Sequence, residues 1–256
     1  MFHANGDDSP THAPVFDAQL TQLVPAPAPA PFELYVLAQS WQPAFCLHRE
    51  TEFPGCRAPR EFWRTHFTLH GLWPEHEAGS PPGFCDGEPF DADAVEQAVG
   101  LDVLREFWPD VKYSDASPQY PQFWAHEWTR HGTCSGLPLR AYFSSAVGLA
   151  RNGTAQTPQI VQESVGKQVA LTELRAAFAA RAPSAAHGAP LSEELFAAVL
   201  QCTGHGGDTL SQVFTCWSKD AQNVPVARRA CPPHVLKEDS CTRPMIRVLA
   251  FPDSGR

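Results

Sequence analysis

No run of about 18 apolar residues occurs in this 256-residue chain, so no stretch is long enough to read as a membrane-spanning helix. Residues 1–23 hold no apolar core of about 7–15 residues, so no signal peptide is read there. Eight cysteines are present without a single CxxC pair, which sets aside zinc-ribbon and thioredoxin-like sites. Positive charge is also short: 19 Lys and Arg face 28 Asp and Glu, for a net charge of −9. That balance argues against a protein that holds a polyanion mainly through a broad basic surface. No internal repeat is found.

What is there reads as one globular unit. Hydrophobic residues make up 43 % and charged residues 18 % of the chain, ordinary values for a packed domain. Residues 1–30 are polar and end in a Pro/Ala alternation, the composition of a semi-rigid linker, and are expected to be poorly ordered. Residues 31–256 then form the domain. An even number of cysteines at 46, 56, 85, 134, 202, 216, 231 and 241 favours a disulfide framework in an oxidising compartment. Spacing alone leaves 105 possible pairings. The missing leader conflicts with that compartment, and the cysteines carry more weight.

Phe32–Ala38 is rich in strand formers and is expected to be a central strand, running on to Gln39 and Trp41. A second strand precedes His70. Asp91 or Asp93 caps an expected helix through Phe107, with Pro109 just beyond it. Further helices are expected over 139–150 and 170–182, and a short one from Ser192 toward Val199 and Cys202. Leu210–Trp217 and Met245–Phe251 read as strands. Strands outside strict βαβ alternation favour an α+β fold, a central antiparallel sheet packed with several helices. Asn152-Gly153-Thr154 fits an N-glycosylation acceptor.

Two stretches concentrate chemistry. Phe123-Trp124-Ala125-His126-Glu127-Trp128-Thr129-Arg130-His131-Gly132-Thr133-Cys134 sets two histidines, a carboxylate and a guanidinium within six residues. In a helix, His126 and Arg130 are i,i+4, as are Glu127 and His131, so the two pairs share a face. Three aromatics on the same segment point to partial burial rather than a solvated charged face. The other stretch, Phe67-Thr68-Leu69-His70-Gly71-Leu72-Trp73-Pro74, alternates like a half-buried strand and sets His70 before a glycine. The histidines at 126 and 131 are i,i+5, not the i,i+4 of a zinc protease helix, and Arg130 between them would repel a dication. No metal and no cofactor is expected.

Residues 67–74 and 126–134 resemble the two signatures of the ribonuclease T2 family, in the family's order, with weaker likeness from about Phe32 to Pro252. Arg130 stands where that family typically carries lysine; the charge is kept, but on a planar fork. Glu75 stands where relatives often have aspartate or another residue, which bears on base preference rather than on the chemistry. The resemblance implies an acid endoribonuclease acting on single-stranded RNA, with the RNA 2′-hydroxyl as nucleophile and 2′,3′-cyclic phosphate, then 3′-phosphate, as products. It gives His131 the role of general base and His70 that of general acid. His126 would hold the phosphate, and Glu127 and Arg130 would stabilise or orient the pentacoordinate state. It pairs Cys46 with Cys56, Cys85 with Cys134, Cys202 with Cys241 and Cys216 with Cys231. Sequence-tolerant stacking makes Trp73 and Phe123 candidates for base contacts, and Gln39 and Glu75 candidates for base edges. The acidic balance would weaken RNA binding at neutral pH and ease as histidines protonate. A monomer in an extracellular or vacuolar/lysosomal compartment is expected, without membrane attachment. The alternative is a non-catalytic RNA-binding, storage or recognition protein on the same fold.

Overall fold

A computed structural model describes residues 32–151, 155–179 and 197–252. The linker, the Asn152 acceptor and Ser192 lie outside these residues. The chain enters through β1 (Leu34–Ser40), turns through α1 (Gln42–Phe45) and α2 (Pro54–Arg57), and returns as β2 (Thr68–Glu75). Helices α3 (Ala92–Val99), α4 (Leu101–Phe107), α5 (Gln122–Arg130), α6 (Leu139–Arg151) and α7 (Gln159–Glu163) follow. The remainder is β3 (Lys167–Ala170), α8 (Leu171–Phe178), β4 (Val199–Thr203), β5 (Thr209–Lys219), β6 (Pro225–Arg229), α9 (Pro233–Leu236) and β7 (Met245–Val248).

These strands make one sheet in the order β2-β1-β5-β7-β3, with β4 and β6 also paired to β5. The fold is α+β, as expected, and every pairing is antiparallel except one: β5 meets β7 in parallel at Thr209 and Arg247, so the sheet is mixed. β1 is buried along nearly its whole length because the sheet is covered on both faces, which is why its sequence is a continuous apolar run. One core joins β1 and β2 to α3–α6 through Leu37, Leu72, Trp108, Trp124, Trp128 and Tyr142. Another, through Val36, Phe214, Cys216 and Val235, covers the opposite face.

Three expectations need correction. The helix over 92–107 is two helices, because Gly100 adopts φ +93° and breaks it; Asp91 is the cap, its carboxylate accepting from Ala94 N at 3.0 Å. Val199–Thr203 is a strand, not the end of a helix; Val199 and Leu200 are β-branched or apolar and pair with Phe214 and Val213 of β5. The final strand stops at Val248, short of Phe251. Four disulfides join the pairs that the resemblance implied, each with Cα atoms about 5 Å apart.

Candidate active site

His70 owes its position to a fault in strand pairing. On β2, Gly71 lies opposite Ala38 and Leu69 opposite Gln39, so His70 is an extra residue with no counterpart on β1. Such a bulge bends the strand and re-aims the inserted side chain. The imidazole Nδ1 then meets Gln212 Oε1 of β5 at 2.8 Å. Gln212 Nε2 donates to Gln201 Oε1 at 3.2 Å, which turns its carbonyl oxygen toward the histidine. His70 Nδ1 therefore carries the proton, leaving Nε2 as the atom that can exchange one. Trp108 Nε1 donates to the His70 carbonyl at 3.0 Å and anchors the bulge.

The second half of the site comes from α5. Trp124, Glu127 and Trp128 face the core, while His126 and Arg130 face solvent. The shared stripe expected from spacing is thus split by the protein–water boundary. His131 is the C-cap, with φ −122° and ψ −49°, so its side chain leaves the helical path. A 3₁₀ turn over Gly132–Ser135 follows, and Cys134 within it is bridged to Cys85. Gly132 is required there: a Cβ would lie 2.3 Å from the Trp128 ring.

Trp73 holds the two halves together. Its Nε1 donates to Glu127 Oε2 at 2.9 Å. Its ring stacks on His131 with centroids 5.2 Å apart and planes at 26°, and meets the His70 ring edge-on at 5.1 Å. His70 Nε2 lies 3.8 Å from Glu127 Oε1. Glu127 is therefore bonded to Trp73 and faces His70; it does not act as an i,i+4 partner that orients His131.

Burial sets the protonation states. Glu127, 1 % exposed, is pushed up to about 8 by desolvation, against the Trp73 hydrogen bond and the Arg130 charge, which pull it down. His131 is pulled down to about 3 by burial first, then by the charges of Arg130, His126 and His70. Its Nδ1 is buried with no hydrogen-bond partner among the described residues, so a proton there would be unsolvated. His70 is lowered by burial, partly offset by Gln212, with His126 and Lys112 adding repulsion. Between about pH 5 and 7 the site thus holds a neutral imidazole at His131 and a neutral carboxylic acid at Glu127.

Beside it opens a cleft of about 420 Å³, lined among others by His70, Gln212, Ser40, Lys112, Asp110 and Phe123. Phe123 lies against His70 with centroids 5.7 Å apart. Burial also raises the Asp110 carboxyl, whose oxygen accepts from Lys112 N. Of the residues singled out in the sequence, His70, Glu127, His131, Trp73 and Phe123 are brought into contact, and His126 and Arg130 border them. Gln39 and Glu75 are not: Gln39 is buried in a different cavity, and Glu75 bonds His76 N and faces His234. Gln212 was missed, since nothing in its surroundings on the chain marks it. No group of three or more His, Cys, Asp or Glu among the described residues is arranged to hold a metal.

The model of the Ribonuclease T2 family matches residues 32–225. The chain belongs to the ribonuclease T2 family. Within that family it is 33 % identical over 117 residues to intracellular ribonuclease LX of Solanum lycopersicum, covering 45 % of this chain and 46 % of the relative. A ribonuclease-like storage protein of Panax ginseng is 28 % identical over 159 residues, 54 % of this chain and 61 % of the relative. The matches thus span about half the length of the curated relatives. Among solved structures, a variant of RNase MC1 in complex with 5′-GMP superposes with a TM-score of 0.52 at 27 % identity, covering 73 % of this chain and 90 % of that one.

Proposed function

We propose that the protein is an endoribonuclease that cleaves single-stranded RNA by transesterification, without a metal and with low base specificity. The observation that carries this reading is the meeting of His70, Glu127 and His131 on one indole, Trp73. RNA brings its own nucleophile. His131, neutral over the acid range, takes the 2′-hydroxyl proton, and His70 Nε2 gives a proton to the leaving 5′-oxygen. The scissile phosphate replaces the counter-charge that both histidines lack, which draws a proton onto His70 when substrate binds. His126, Arg130 and Lys112 balance the phosphate charge. Glu127, uncharged below about pH 8, donates a hydrogen bond to a phosphorane oxygen instead of repelling it. The 2′,3′-cyclic phosphate is then hydrolysed to a 3′-phosphate with the two histidine roles exchanged.

A base of the RNA enters the cleft beside Phe123, where an aromatic face accepts any base. Four disulfides fit a secreted or vacuolar protein.

The test is single-turnover cleavage of a short single-stranded RNA with excess EDTA at about pH 5 and pH 7.5, beside His70→Ala and His131→Ala. Cyclic phosphate that forms with EDTA present, faster at pH 5, and that falls about 10²–10⁴-fold in each variant is expected. No cleavage by folded, oxidised wild type would instead make this a storage or binding protein. Loss of cleavage with EDTA alone would put a metal in the site.

A further inference from the structure

Gln39 is 3 % exposed, yet its carboxamide has no hydrogen-bond partner among the described residues. Its polar end is not among the fully enclosed orphan groups, so it opens onto a cavity where a ligand or water can pair with it. The side chain lines a second cavity, of about 190 Å³. Gln39 and Ser40 are consecutive on β1, so their side chains leave on opposite faces of the sheet. Ser40 lines the catalytic cleft and Gln39 the second cavity, which separates the two.

The wall of this cavity is aromatic. Phe62 stacks on His66 with centroids 4.3 Å apart and planes at 10°, and leans on Phe107 at 4.7 Å. At the rim stands Arg151, exposed, its guanidinium 5.7 Å from the centre of the Phe107 ring and without an ion pair among the described residues. His66 Nδ1 is held by Thr65 Oγ1 at 2.8 Å, which fixes the ring against Phe62.

We propose that this cavity is a second nucleotide site, taking one nucleobase of a mononucleotide. A carboxamide presents one donor and one acceptor side by side, the pattern that pairs with a base edge. Aromatic rings pack against a base face, and a guanidinium without a partner suits the phosphate outside the pocket. Size limits the ligand further. Drug-sized molecules occupy pockets of about 300–1,000 Å³, so 190 Å³ admits a single ring system and no stretch of oligonucleotide. The site stands independently of cleavage in the first one.

The experiment is an amide NMR titration of the full, oxidised chain with adenosine 3′-phosphate, with adenosine, and with inorganic phosphate. The nucleotide is expected to shift the amides of Phe62, His66, Phe107 and Ala150 as one group. Adenosine should shift the same group more weakly, and phosphate alone should not. Gln39→Leu should abolish this response while leaving shifts at His70 and Gln212. Arg151→Glu, an exposed change that leaves the core untouched, should weaken the nucleotide about tenfold or more without altering adenosine, and it decides the matter if Gln39→Leu does not fold. Absence of any shift in this group would leave the cavity to water and overturn the proposal. So would equal shifts with phosphate alone, or a nucleotide response that Arg151→Glu leaves unchanged.

Discussion

Trp73 Nε1 and Glu127 Oε2 are 2.9 Å apart, and this single bond spans the gap between the β2 strand and the α5 helix that together carry the site. The carboxyl on its far side is buried and uncharged over the acid range, so the bond positions a proton donor. Gly71 makes the approach feasible. A Cβ at that position would lie 2.1 Å from Glu127 Oε2 and 2.2 Å from Trp73 Nε1.

Gly71→Ala should therefore separate the strand from the helix at the site and lower kcat by about 10²-fold, the cost of a displacement near 1 Å. Substrate affinity should change far less, because Phe123, Lys112 and the cleft are untouched. Steady-state kinetics separate the two, and an unchanged kcat in a folded variant would refute the role given to the Trp73–Glu127 bond.

Gln212→Leu should act through His70. The amide raises the His70 affinity for a proton, so its loss leaves the imidazole harder to protonate and free to turn. The alkaline limb of the activity profile should move to lower pH. The rate at its optimum should fall by roughly ten- to a hundredfold, less than the loss of the imidazole itself. A pH profile that keeps its shape in the variant would count against this.

Stability should show a plateau with two falling sides. Glu127 is raised from 4.5 to about 8, so the folded state holds a proton that the unfolded chain releases, and its contribution is lost as pH rises through that range. His131 is lowered from 6.5 to about 3, so its contribution is present above 6.5 and lost as pH falls toward 3. The opposing slopes offset each other between about 4.5 and 6.5. Urea midpoints measured with bridges intact should be flat there, fall above it in a manner that Glu127→Gln removes, and fall below it in a manner that His131→Gln removes.

Removal of Cys85–Cys134 should cost more than removal of Cys46–Cys56. The first closes 49 residues and the second 10, which gives about 4 against about 3 kcal/mol in the loop-entropy account. Activity should also separate the pairs. Cys134 lies in the 3₁₀ turn directly after His131, so a double serine variant at 85 and 134 should lose rate even where it remains folded, whereas one at 46 and 56 should not. Equal losses of rate in the two variants would refute the link.

The sequence exposed the parts of this molecule that are set locally. β1, β2 and α5 carry their own apolar patterns, and the two histidine stretches are dense enough to stand out. What escaped notice depends on partners far along the chain. β3 and β6 are short, and Lys167-Gln168-Val169-Ala170 and Pro225-Val226-Ala227-Arg228-Arg229 have little strand character; pairing with β7 and β5 makes them strands. Gln212 acts on His70 across 142 positions of chain. That Trp73 would stack on His131 and bond a buried carboxyl could not be read from its own stretch, because both partners lie on α5 and its C-cap, more than 50 residues away. Gln39 was placed with the substrate, but strand alternation sends it through the sheet to the other side.

The bulge at His70 has a consequence for how such a molecule can change. A residue without a counterpart on the neighbouring strand contributes little to the ladder, so the sheet does not depend on the imidazole that projects from it. Replacement of His70 would silence the chemistry while the scaffold, its bridges and its solubility persist. Inactivity is thus one cheap substitution away, and a protein of this architecture can be retired from catalysis and kept for its bulk or its surface without any need to be rebuilt.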